Sequence, residues 1–154
     1  MITITPLQVS LFELNPRVPN NSKTSLIERI DSLFSSLTSN HLIVDARDVD
    51  FKFGNVPGSI NIPKDEFEGV VEYLVQKLSD HLKETRTTTC TNQFSVVFHC
   101  ASSEVRGPFC ATVFENVWNN RDCRVHTCVM EGGYVAWLAV FENWYGMVEN
   151  YVRE

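Results

Sequence analysis

A short apolar run, a cysteine, and an arginine followed by glycine and proline stand in close succession in Ser95-Val96-Val97-Phe98-His99-Cys100-Ala101-Ser102-Ser103-Glu104-Val105-Arg106-Gly107-Pro108. Val96 to Phe98, β-branched and aromatic, read as a buried strand; Gly107-Pro108 and the apolar positions after them read as the opening of a helix. A strand that passes through a short loop straight into a helix constrains the chain to an α/β architecture. It also places that loop at a helix N-terminus, where backbone N–H groups have no intrahelical partner and the macrodipole is positive. Such a loop can bind a tetrahedral oxyanion through the amides of Ala101, Ser102, Ser103 and Val105, with Arg106 gripping it as a bidentate fork. The same field favours a thiolate at Cys100.

Composition narrows the alternatives. With 154 residues, 44% hydrophobic and 11% aromatic, the chain suits one domain over residues 1–154 with a real core. A net charge of −6 with no basic stripe argues against nucleic acid as a partner, because phosphate backbones are held by clustered Lys and Arg. Met1-Ile2-Thr3-Ile4-Thr5-Pro6 has no charged region leading into a long apolar stretch, and no run approaches the ~20 apolar residues that span a bilayer. A soluble, cytoplasmic protein with no membrane partner is expected. The five cysteines (Cys90, Cys100, Cys110, Cys123 and Cys128) are odd in number and lack paired CxxC spacing. They fit neither a secreted disulfide framework nor a zinc site, so reduced thiols, no metal and no bound cofactor are expected.

Strand-like and helix-like segments alternate along the chain, predicting a mainly parallel sheet flanked by helices. Ile2 to Ile4 read as a short strand, and Thr5-Pro6 opens a helix through about Leu14. Residues 15–22 are rich in turn formers; Leu26, Ile27, Ile30, Leu33, Phe34 and Leu37 then recur at helical spacing. His41 to Asp45 and Gly58 to Pro63 read as strands, and a helix runs from about Asp65 to Lys83. The polar stretch 84–92 reads as an exposed loop. Beyond the cysteine loop come a helix from about Gly107 to Trp118, a strand from Arg124 to Met130, a Gly132-Gly133 turn and a helix from about Tyr134 to Trp144.

Several segments, in order, resemble the rhodanese-fold family. Val44-Asp45-Ala46-Arg47 is similar to its "VDxR" strand end, the segment from Phe53 to Pro63 to its "GHIPGAINIP" element, and Val129 to Trp137 to its "LxGGFxxW" element. Sulfurtransferases of that family usually carry a shorter loop sized for sulfur. The rhodanese-fold cell-cycle phosphatases and the eukaryotic arsenate reductases carry the longer His-Cys-five-residues-Arg-Gly-Pro loop found here. The resemblance implies a single rhodanese-like domain and a phosphatase of phosphotyrosine type, an arsenate reductase, or both. Its substrates would be a phosphorylated protein or a small oxyanion, and the arsenate branch implies glutathione and a glutaredoxin as reductants. The cell-cycle phosphatases place Glu immediately before the loop arginine, where this chain has Val105 with Glu104 one position earlier. They also place a second cysteine where this chain has Ala46. The loop letters Ala101, Ser103 and Val105 are closer to those of protozoan arsenate reductases.

Each candidate also has a plainer role. Cys100 is the nucleophile and Arg106 the anion fork; Glu104, the loop's one carboxylate, is either the general acid or a solvated side chain. Ser102 and Ser103 either hydrogen-bond a leaving thiolate or satisfy loop amides. His99 is read as support beneath the loop ahead of a thiolate-tuning role, and Asp45 with Arg47 as a buried pair organising the loop rather than touching substrate. Cys110 and Cys128 read as small core residues, and Trp137, Phe141, Trp144 and Tyr145 as an aromatic core stripe. Two other function classes share the sequence signals: a sulfurtransferase carrying a cysteine persulfide, and a rhodanese-like binding module without catalysis.

Overall fold

The computed structural model describes residues 1–85 and 93–151. Five strands, β1 (Ile2–Ile4), β2 (His41–Asp45), β3 (Ile60–Asn61), β4 (Phe94–His99) and β5 (Val125–Met130), form one sheet in the order β1-β5-β4-β2-β3. Every pairing is parallel. The expectation of a mainly parallel sheet is met in full. Parallel neighbours need crossovers, and five α-helices accompany them: α1 (Pro6–Ser10), α2 (Leu26–Ser36), α3 (Lys64–Glu84), α4 (Arg106–Trp118) and α5 (Gly133–Phe141).

The period-two alternation of strand side chains decides which helices cover which face. Leu42 and Val44 of β2, with Val96 and Phe98 of β4, point into a core shared with Ile30 and Leu33 of α2, Phe67, Leu74 and Leu78 of α3, and Phe114 of α4. The intervening Ile43 and Val97, with Cys128 and Met130, point the other way, onto Val9 of α1 and Tyr134, Trp137 and Phe141 of α5. β4 lies in the middle of the sheet, so the loop that leaves its carboxyl end sits over the centre of the molecule. That is where open α/β sheets place their ligands.

Four elements depart from the sequence reading, among them the strand expected from Gly58 to Pro63, which is confined to Ile60–Asn61. The helix expected to run to about Leu14 stops at Ser10. Leu11 and Leu14 find nothing to bury against and stay exposed, while Phe12 folds in to stack on His41 at 4.7 Å between ring centroids. The last helix ends at Phe141 instead of Trp144, leaving Trp144 and Tyr145 exposed (62% and 104%) rather than in the core stripe with Trp137 and Phe141. A 3₁₀ turn, Val49–Phe53, absent from the sequence reading, follows β2. In the polar stretch 84–92, Glu84 belongs to α3 and Thr85 closes it; residues 86–92, including Cys90, lie outside the described residues. Cys100, Cys110 and Cys128 carry free thiols, whereas Cys123 is disulfide-bonded, against the expectation of reduced thiols throughout.

Candidate active site

Two glycines let three elements converge on the cysteine loop. Gly107, in the first turn of α4, lies so close to the end of β4 that a Cβ there would meet His99 Cα at 2.9 Å. Gly133 opens α5 with φ +62°, and a Cβ would fall 2.5 Å from the Cys100 carbonyl oxygen and 2.6 Å from that of Ala101. That close approach lets α5 grip the loop by its backbone: Tyr134 N–H donates to Cys100 O (2.9 Å) and Val135 N–H to Ala101 O (3.0 Å). The amides at the start of α5 thus hold the carbonyls of the loop's first two residues.

At the other end, α4 begins at Arg106 with Val105 as its N-cap and no side-chain capping bond among the described residues. The loop therefore runs from a buried cysteine, 2% exposed, to a helix N-terminus that carries no side-chain cap among the described residues. Ser103 takes the left-handed conformation (φ +59°), and its hydroxyl oxygen is buried without a partner among the described residues. Ser102, Glu104 and Val105 are exposed, and Ala101 is half-buried. Glu104 makes no hydrogen bond or ion pair among the described residues.

Beneath the loop lies a buried polar layer that fits the structural readings of Asp45, Arg47 and His99. Arg47 Nε donates to Asp45 Oδ1 at 3.0 Å and Nη2 to Oδ2 at 2.8 Å, with both side chains almost wholly buried. The guanidinium lies 4.1 Å from the Tyr134 ring centroid, and Nη2 also donates to Gly54 O at 2.7 Å. Parallel pairing places Asp45 beside His99 at the strand ends. The His99 Nδ1 bonds to Cys100 O at 3.0 Å and Nε2 stands 3.6 Å from Asp45 Oδ2. Burial pushes the His99 imidazole below its ordinary value, against the opposing pull of Asp45. Burial likewise pushes the Cys110 thiol up to about 12, in keeping with its place in the core.

Sequence reasoning missed the partner of Arg106. Its Nη1 donates to Asp50 Oδ1 at 3.1 Å and its Nη2 to Asp50 Oδ2 at 2.8 Å, with Asp48 Oδ1 3.4 Å from Nη1. The hydrogen bonds that Arg106 donates to Asp50 push the guanidinium further above its ordinary value. Residues 50 and 106 are too far apart in sequence for any spacing rule to link them, although the acidic pair Asp48 and Asp50 directly after Asp45-Ala46-Arg47 was in plain view. Next to this turn, a groove of about 1010 Å³ is lined by Arg17, Asn20, Arg29, Asp48 and Lys52 among others. Residues 17–22 thus form a wall beside the 3₁₀ turn; Cys100 and Arg106 are not part of that groove's lining.

The pattern of the rhodanese-like domain matches residues 26–140, from the start of α2 into α5. The chain belongs to the rhodanese-like domain family. The dual specificity phosphatase ibp1 of Schizosaccharomyces pombe is 27% identical over 124 residues, a match covering 70% of this chain and 81% of the relative. Arsenical-resistance protein 2 of Saccharomyces cerevisiae is 27% identical over 113 residues, covering 71% and 82%. Among solved structures, the As-Sb reductase from Leishmania major superposes with a TM-score of 0.64 at 24% identity, covering 96% of this chain and 85% of that one. This likeness carries the fold. The resemblance read from Val44-Asp45-Ala46-Arg47, from Phe53 to Pro63 and from Val129 to Trp137 holds for both family and rhodanese-like fold.

Proposed function

We propose that this rhodanese-like domain is a cysteine-dependent oxyanion enzyme, acting on phosphotyrosine-type monoesters, on arsenate, or on both. One observation carries the reading: Cys100 at the end of β4 and Arg106 at the start of α4 bracket a loop that ends on a helix N-terminus without a side-chain cap. An anion in such a loop takes the hydrogen bonds that a capping side chain would otherwise supply. The names of the phosphatase and arsenical-resistance relatives support the same chemistry.

In the phosphatase reaction, the Cys100 thiolate attacks phosphorus, an S–P bond forms and the ester P–O bond breaks. The equatorial oxygens are met by the amides of Ala101, Ser102, Ser103 and Val105 and by Arg106. Glu104, exposed at the rim, delivers the proton to the leaving oxygen. Water then attacks phosphorus, breaks the S–P bond and returns the thiolate. With arsenate, Cys100 displaces hydroxide to form an S–As(V) bond. Glutathione and a glutaredoxin then supply two thiols that become a mixed disulfide as As(V) goes to As(III), and water breaks the S–As(III) bond to release arsenite and return the Cys100 thiol.

Phosphate release from a phosphotyrosine peptide, and arsenate reduction with glutathione and glutaredoxin, measured for the wild type and Cys100→Ser in reducing buffer, test this. Turnover in at least one assay that the serine variant abolishes is the expected result. Silence in both, with sulfur transfer from thiosulfate to cyanide instead, would overturn the reading in favour of a persulfide carrier.

A further inference from the structure

Arg106 is held in place before any substrate arrives. Asp50 occupies its end-on edge through Nη1 and Nη2, at 3.1 and 2.8 Å. Nε donates to none of the described residues. A guanidinium has five N–H groups in a rigid planar fork, so the side-on edge, made of Nε and the second N–H of Nη2, stays open for another oxyanion.

Asp50 is itself anchored from below. Its backbone carbonyl accepts from Arg47 Nη1 at 3.3 Å, and its Oδ1 accepts from Asp48 N–H at 3.2 Å. Arg47 in turn is fixed by the buried Asp45 and by Gly54 O. A continuous line of charge-assisted bonds therefore runs from the end of β2, through the 3₁₀ turn, to the first residue of α4. Burial raises the Asp50 carboxyl, but the hydrogen bonds and charge of Arg106 outweigh it and leave it below the usual carboxylate range, so it remains ionised at neutral pH.

We propose that Asp50 is the positioning residue for Arg106, clamping the end-on edge of its guanidinium so that the side-on edge is presented to the oxyanion held by the Cys100 loop. The inference rests on the reading of that loop as an oxyanion cradle. Asp50 acts on an incoming anion in two opposed ways: its charge repels the anion, and its grip removes the rotamer freedom of a long arginine side chain. The two side chains are 28% and 36% exposed, so solvent screens the repulsion. Nothing screens the loss of geometry when the clamp is removed, and positioning decides the sign.

The test follows alkylation of Cys100 by mass spectrometry, carboxymethylation by anionic iodoacetate and carbamidomethylation by neutral iodoacetamide, with tungstate as the protecting oxyanion. Wild type, Asp50→Asn and Asp50→Glu are compared, with Ser25→Ala as a variant remote from the loop. Asparagine keeps the oxygen that accepts from Asp48 N–H, so the turn is retained while the charge and the second oxygen are lost. Tungstate protects the wild type. In Asp50→Asn the half-protecting concentration rises by about tenfold, the iodoacetate-to-iodoacetamide rate ratio falls, and the iodoacetamide rate and thermal midpoint stay near wild type. Asp50→Glu, which keeps the charge but shifts its reach, falls between the two and serves as the deciding variant if Asp50→Asn does not fold. Unchanged or tighter tungstate protection in the folded variants would overturn the positioning role while leaving the cradle standing. Failure of tungstate to protect the wild type would overturn the cradle, and the positioning role with it.

Discussion

Gly133 has no room for a side chain: its φ of +62° and the 2.5 Å approach of a Cβ to the Cys100 carbonyl leave glycine as the residue that fits. Gly133→Ala is expected to cost about 1–3 kcal/mol in urea unfolding and to lower turnover, because the loop carbonyls held by α5 must shift. Asp45→Ala is expected to be more severe, at about 3–5 kcal/mol, because it strands the buried Arg47 guanidinium. A thermal midpoint within a degree or two of wild type would contradict that. The placement of Cys100 and Arg106 and the burial of Asp45 with Arg47 were legible because each lies in a short local pattern of strand end, loop or helix start. Asp50 was not, because its partnership with Arg106 exists only once β2 and β4 lie side by side. The core role for Trp144 and Tyr145 fails for a related reason: helical spacing assigns a face, but the helix has already ended.

At the scale of elements, a local cap sets the start of α2, whereas α3 and α4 begin without a side-chain cap among the described residues. Ser25 accepts from Glu28 N–H at 3.1 Å and Glu28 Oε1 reaches back to Ser25 N–H, a capping box that starts α2 where the apolar periodicity begins. Ser25→Ala is expected to lower unfolding free energy by about 1 kcal/mol with turnover unchanged; a loss of activity at full occupancy of the fold would contradict the independence of α2 from the loop. β2 was legible to the residue, as His41 to Asp45 around the apolar run Leu42 to Val44, and so was the course of α4 to Trp118. α1 was overextended because Leu11 and Leu14 mimic a helical face although no core lies beneath them. The 3₁₀ turn at Val49–Phe53 was invisible because its apolar and charged residues alternate with the period of a strand rather than of a helical turn; side-chain bonds from Arg47 to Asp50 O and Gly54 O hold it.

The molecule as a whole should lose stability in mild acid. Burial holds His41 at about 4, below its ordinary 6.5, and pushes His81 and His99 in the same direction. The unfolded chain therefore binds more protons than the native one between those values. The stabilising contribution is complete above about pH 6.5 and is lost as the pH falls toward 4. For His41 alone, about 1 kcal/mol should disappear between pH 7 and pH 5.5, and urea unfolding of His41→Gln should show a correspondingly smaller pH dependence. Among the described residues no helix is long and apolar enough to cross a membrane. The sheet order that sets β4 at the centre also sets Cys100 over the convergence of α4 and α5, and that placement is the basis of the proposed chemistry. The most direct test is to quench the protein in acid during turnover of a phosphotyrosine peptide or arsenate and look for substrate-derived phosphorus or arsenic bonded to a cysteine. The expected result is an adduct on Cys100, absent in Cys100→Ser and diminished in Arg106→Ala. Turnover that proceeds with no adduct at Cys100, or that survives in the serine variant, would contradict it.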